Sequence, residues 1–209
     1  VYVGDFRNHR VQKFDSEGAW VTMWGQTGNE PGQFKDICDV AVNSRFVYVL
    51  DTFNNRIQVF TPEGKQVRTI GPIKGSVNHP RGIAVDEKHV YVTDTGNSRI
   101  LKLTLTGQFV SHFGRVGKDP GQFSHPLGIA VWDGKLYIAD VGNRRIQVLT
   151  TEGEHVKSYP VTGWEGEVFN EPYVAVTPDN MIWYTDPNRG MVISMNQDGA
   201  IVKGYDKDS

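Results

Sequence analysis

Asp36, His79, His125 and Glu171 sit in the segments F-K-D-I, V-N-H-P, F-S-H-P and F-N-E-P, each just before a short apolar run. All four side chains can ligate a metal, and two imidazoles with a carboxylate suit zinc or a similar transition ion. No close Cys/His spacing motif accompanies them. A louder signal is the triplet Asp-x-x-Asn-x-Arg, spelled by Asp5/Asn8/Arg10, Asp51/Asn54/Arg56, Asp94/Asn97/Arg99 and Asp140/Asn143/Arg145. Carboxylates and guanidiniums in a row could bind an anion or a metal. They can equally fix a turn, through side-chain bonds to the backbone and an Arg fork tied to a carboxylate or carbonyl. A pattern repeated this often argues for the turn. A fifth copy begins at Asp186 but reads D-P-N-R-G, so its Asn and Arg are expected to be lost.

The elements that carry these residues are themselves repeated. The five aspartates fall at 5, 51, 94, 140 and 186, at intervals of 46, 43, 46 and 46. A fixed period of this size means an array of one supersecondary unit. Each unit holds short β-rich runs: G-I-A-V at 82–85, V-Y-V-T at 90–93, I-L-K-L at 100–103 and F-V-S-H-F at 109–113. Their links suit antiparallel hairpins, and no helical period persists. Innermost runs are apolar and outermost runs polar, as radially packed sheets require. The expectation is an all-β β-propeller occupying 1–209, with four complete four-stranded blades at about 37–71, 81–114, 127–160 and 173–205. Residues 1–25 supply only three strands of a further blade, so the chain reads as part of a larger ring. An open ring would also expose edges prone to self-association. The tryptophans Trp20, Trp24, Trp132 and Trp183 fall on strand runs and read as packing residues.

Within such an array the metal reading narrows. Adjacent sheets pack roughly 10 Å apart. His79 and His125, on neighbouring blades near the central channel, could therefore share one divalent ion, whereas Asp36 and Glu171 stand three blades apart. No Ser-His-Asp order and no phosphate-cradling Gly loop is present.

Loop positions that differ between copies point instead to binding. Phe53 stands where other copies have Arg7, Gly96, Gly142 and Asn188; Trp164 replaces Lys118 in an equivalent loop. Aromatics in loops are contact anchors. With Arg7, Arg81, Arg144 and Arg189 they make a polar-aromatic rim suited to a protein or glycan.

Composition sets the outer bounds. The chain has 209 residues, 38% hydrophobic and 22% charged, with a net charge of −2, which gives no global pull toward nucleic acid. Glu165, Glu167 and Glu171 add to that argument. A single cysteine, Cys38, makes no internal disulfide and leaves the compartment open. No apolar run reaches the ~20 residues of a membrane helix.

The pattern D-x-x-N-x-R-[IV]-Q, then E-G, then P-G-Q-F-x-x-P-x-G-I-A-V resembles the NHL-repeat family over nearly the whole chain. That resemblance implies a six-bladed propeller used as an interaction platform. It also brings two alternatives: an amidating lyase with histidines around a central metal, from whose regular ring Cys38 and Tyr173 depart, and RNA-binding NHL domains. The reading adopted is a non-catalytic scaffold without a resident cofactor.

Overall fold

A computed structural model describes residues 1–71, 77–164 and 171–206. The Glu165 and Glu167 of the expected acidic neighbourhood lie outside the described residues. The described chain is all-β: nineteen strands in five antiparallel sheets, four of four strands and one of three.

The chain divides into two compact units. The first holds Val1–Gly96 and Leu101–Ser111. It contains the three-stranded sheet of β1 (Tyr2–Asp5), β2 (Arg10–Phe14) and β3 (Trp20–Trp24), then β4 (Ile37–Val42), β5 (Val47–Asp51), β6 (Arg56–Phe60) and β7 (Gln66–Ile70). The next sheet, β8 (Pro80–Val85), β9 (His89–Asp94), β10 (Arg99–Thr104) and β11 (Phe109–Phe113), falls mostly in this unit. The second unit holds Asn97–Ile100 and His112–Ser209. Its sheets are β12 (Pro126–Trp132), β13 (Lys135–Asp140), β14 (Arg145–Thr150) and β15 (His155–Pro160), and β16 (Val174–Val176), β17 (Ile182–Asp186), β18 (Met191–Met195) and β19 (Ile201–Tyr205).

Every sheet is an up-and-down meander in sequence order, the blade expected from the repeat. The runs read at 82–85, 90–93, 100–103 and 109–113 correspond to β8–β11. Burial differs from the expected radial gradient. The second strand β5 is buried along its whole length, whereas the inner strands β4 and β16 are only partly covered. A second strand has a partner on each side and a neighbouring sheet against its face, so its Val-Tyr-Val-Leu run has no route to water. The outer strands are the exposed ones, and Trp20, read as a packing residue, is 58% exposed on β3.

One contact repeats with the period. A residue at the end of an outer strand, the last one or in β15 the last but one, lies over the turn glycine of the following blade: Trp24 over Gly64, Ile70 over Gly107, Phe113 over Gly153 and Tyr159 over Gly199. A Cβ at Gly64 would come within 2.6 Å of the Trp24 ring, and each of these glycines has φ between +85° and +91°. The turn thus needs glycine twice, for a left-handed backbone and for the apolar side chain above it.

Candidate functional site

The Asp-Asn-Arg triplet builds the turns that carry the candidate residues. After β1, β5, β9 and β13, in the first four sheets, the chain makes a short 3₁₀ turn (Thr52–Asn54 in the second blade) and exits through a left-handed residue. The exits of three such turns, His9, Asn55 and Arg144, have φ of 50–53°. Asp51 is fully buried at the entry. Its carboxylate accepts from Lys35 N at 2.8 Å, from Asn54 Nδ2 at 2.9 Å and from Arg56 Nε at 2.7 Å. Arg56 spends its other N–H groups on the carbonyls of Asn29, Glu30 and Gln33, and Asn54 donates to Gly28 O. The turn therefore clamps the P-G-Q-F loop before it. Asp140 repeats this with Ser124 N, Asn143, Arg145 and the carbonyls of Gly117, Asp119 and Gln122.

A fourth member went unassigned in the sequence. Gln58 Nε2 donates to Gln33 O at 2.6 Å while its Oε1 accepts from Gly32 N, and Gln147 does the same to Gln122 O and Gly121 N. Its signal was present, since Gln12, Gln58 and Gln147 all lie seven residues after an aspartate of the period. At the most exposed copy, the hydrogen bond from Arg10 holds the Asp5 carboxyl below its usual range, against the opposing effect of burial.

The fifth turn keeps the clamp that its sequence suggested it had lost. Asn188, one place earlier than its counterparts, donates to Gly163 O at 2.8 Å, as Asn54 and Asn143 do to Gly28 and Gly117. Arg189 Nε reaches Asp186 Oδ2 at 3.5 Å. The grip is looser, because that buried Oδ2 accepts no hydrogen bond.

Asp36, His79 and His125 share a backbone conformation, with φ of 59°, 50° and 53°. Asp and His are among the few side chains that tolerate this left-handed region, which accounts for their recurrence without any metal. His79 Nδ1 pairs with Asn78 Oδ1, and His125 Nδ1 stands 3.5 Å from Ser124 Oγ. The two histidines belong to different compact units. Among the described residues no three His, Cys, Asp or Glu side chains gather to hold a metal.

Of the rim residues, Arg7 is exposed in the first turn and Arg144 at the exit of the fourth. Arg81 is half-buried on β8, its Nη1 3.6 Å from Cys38 Sγ. Trp164 is not on a rim at all, which corrects the expectation that its ring faces a partner. It is 5% exposed among Val161, Val174 and Met195, donates Nε1–H to Thr185 O at 3.0 Å, and meets the Tyr184 ring edge-to-face. An apolar ring with a satisfied N–H gains more from that interior than from water.

Phe53 does face out. Its ring is 50% exposed although its backbone is pinned, with Phe53 N donating to Lys35 O at 3.2 Å. Beside it lies a cleft of about 170 Å³ lined by Thr52, Phe53, Asn55, Val77, Asn78 and His79. Two residues singled out separately, Phe53 as an anchor and His79 as a ligand, thus share one concavity in the first unit. Thr52 fixes its floor, bonding through Oγ1 to Pro80 O at 3.0 Å.

Sheets of this meander type, latched by an apolar side chain on a turn glycine, make the molecule a β-propeller protein. The family model for the NHL repeat matches residues 77–103 and 123–149, and the chain carries NHL repeats there. It is 34% identical over 86 residues to Protein brain tumor of Drosophila melanogaster, an alignment covering 40% of this chain and 8% of that protein. Among solved structures it resembles streptogramin B lyase (TM-score 0.65, 17% identity, 97% of this chain and 63% of that one). It also resembles a catalytically inactive virginiamycin B lyase from Staphylococcus aureus solved with quinupristin (TM-score 0.68, 16% identity, 98% and 65%). A nidogen/laminin complex provides a third neighbour (TM-score 0.67, 19% identity, 98% and 78%). The chain thus spans under two thirds of the length of the first of these structures and a small part of the fly protein.

Proposed function

We propose that this chain is a non-catalytic interaction scaffold that presents the turn-bearing face of its blades to a protein or glycan partner. The observation that carries the reading is Phe53: a half-exposed aromatic on a pinned turn, where the other 3₁₀ turns place Arg7, Gly96 and Gly142. Its turn is held by a buried carboxylate and several hydrogen bonds, so little ordering entropy is lost when a partner docks. Arg7 and Arg81 in the first unit, and Arg144 and Arg189 in the second, supply charged surroundings that steer more than they hold. A similar propeller occurs in a nidogen/laminin complex, which supports a partner-binding use of the fold. The lyases share the fold at 16–17% identity, and a fold alone carries no chemistry across.

The same reading sets these sheets in a ring of six blades. Gly18 meets nothing within 4 Å, where its four counterparts each lie under an apolar side chain of the preceding blade. The last sheet bears an apolar recess of about 140 Å³ that includes Ala175, Trp183 and Val192. Both are surfaces of the kind that further blades cover.

The test is a pair of arrays, one of peptides and one of glycans, probed with the labelled chain and with Phe53→Gly. Signals that fall at least tenfold in the variant support the reading. Identical profiles for the two proteins on both arrays would sink it.

A further inference from the structure

Resting on that reading, the chemistry of the Phe53 cleft narrows its occupant, and we infer that it takes a single neutral pyranose unit of a glycan. Size comes first. A volume of about 170 Å³ is well below the roughly 300–1,000 Å³ of sites for drug-sized ligands, so one ring-sized group fits and an extended segment does not.

Charge comes second. Among the described residues no Asp, Glu, Lys or Arg lines the cleft. A cationic or anionic group placed there would shed water without finding a counter-charge, which is costly. The occupant is therefore uncharged.

Hydrogen-bonding capacity comes third. Asn55 brings an amide with donors and an acceptor, Asn78 an amide NH₂, and His79 an imidazole whose Nδ1 is engaged by Asn78 Oδ1, while the Thr52 hydroxyl is already spent on Pro80 O. In the tautomer that donates from Nδ1, Nε2 is an acceptor. Against these polar groups stands one flat apolar surface, the half-exposed Phe53 ring. The complementary shape is a ring with a C–H face and hydroxyls around its rim that both donate and accept. A hexopyranose has that form. A leucine or phenylalanine side chain would cover the ring but strand the amides, and buried unpaired polar groups cost affinity. A tyrosine would satisfy one of them at most.

The neighbouring junction supports the assignment by contrast. There the equivalent left-handed residues bond to each other, with Asp36 N donating to His9 Nδ1 at 3.1 Å. At the Phe53 cleft the corresponding pair, Asn55 and His79, line a concavity.

The experiment is saturation-transfer and ¹⁵N shift-perturbation NMR on the whole chain. The probes are the methyl glycosides of glucose, mannose and galactose and N-acetylglucosamine, compared with glucuronate and glucosamine at the same concentrations. Expected is binding on the order of 1 mM to at least one neutral sugar. Shifts should centre on Thr52–Asn55 and Val77–His79, and the charged analogues should bind at least tenfold more weakly. Phe53→Gly and Asn55→Gly should each lower affinity tenfold or more; glycine keeps the positive φ that Asn55 requires, so folding is preserved. No neutral sugar shifting these residues at 50-fold above that concentration (about 50 mM), or equal binding of a charged analogue, overturns the inference. Phe53-dependent signals confined to the peptide array would also overturn it while leaving the scaffold reading intact.

Discussion

Two blade junctions in the first unit are built from the same parts and end differently. At the first, His9 leaves its 3₁₀ turn left-handed and meets left-handed Asp36; their ring and carboxylate stand 3.5 Å apart and Asp36 N donates to the imidazole. At the second, Asn55 and His79 occupy the equivalent positions with nearly the same φ, yet a cleft lies beside them and Phe53 projects next to it. The left-handed pair is common to both, but the chain that leads into it runs from 25 to 36 at the first junction and only from 71 to 79 at the second, so both the side chains and the length of the preceding segment differ.

The comparison is broken most severely through the scaffold. Replacing Asp51 by Ala leaves the Arg56 guanidinium and the Asn54 and Gln58 amides around a buried site without their acceptor. Removing one partner of a buried pair costs about 3–5 kcal/mol, so urea unfolding should show a loss of that order. Asp186→Ala should cost measurably less, because its Oδ2 accepts no hydrogen bond. Equal losses at the two sites would mean that the clamp does not carry the turn. Trp164→Ala empties a core position and should cost a similar 3–5 kcal/mol, with ligand binding unchanged in the fraction that stays folded.

Phe53→Gly inverts that profile. Glycine already fills the equivalent positions at Gly96 and Gly142, so stability should move by no more than about 0.5 kcal/mol while array binding falls at least tenfold. At the closed junction, Asp36→Asn removes only a partly exposed pairing and should change stability by less than about 1 kcal/mol and binding not at all.

The smallest effect is a matter of pH. Asp5 has a carboxyl pKa lowered chiefly by its hydrogen bond from Arg10. A depressed folded-state value contributes stability that is present above the unfolded carboxylate range and is lost as pH falls through the folded value. Arg10→Ala should return the Asp5 titration, followed by carboxyl ¹³C NMR, toward the ordinary value and shrink that acid-side contribution. An unshifted titration would deny Arg10 the role.

The sequence made much of this legible, and the places where it misled have physical causes. A period of 46, 43, 46 and 46 residues with hairpin links suffices for the meander blades, and strand runs such as 90–93 lie within β9. Asp36, His79 and His125 carry two readings at once, because the residues that tolerate a left-handed backbone overlap with those that bind metals. The fifth turn looked broken because Asn188 and Arg189 do the clamp's work from shifted positions, and a fixed spacing pattern cannot see a turn of different length. Trp164 looked like a surface ring because a loop position says nothing about which way its side chain folds. Phe53 was found by the opposite logic, as the odd residue at a position where its counterparts are polar or glycine.

The account is tested most directly by ¹⁵N shift mapping of the whole chain with a ligand selected from the arrays. It predicts perturbations at Thr52–Asn55 and Val77–His79, with Phe6–Arg10 unmoved. Shifts of equal size at Phe6–Arg10, or none at Phe53, would contradict it.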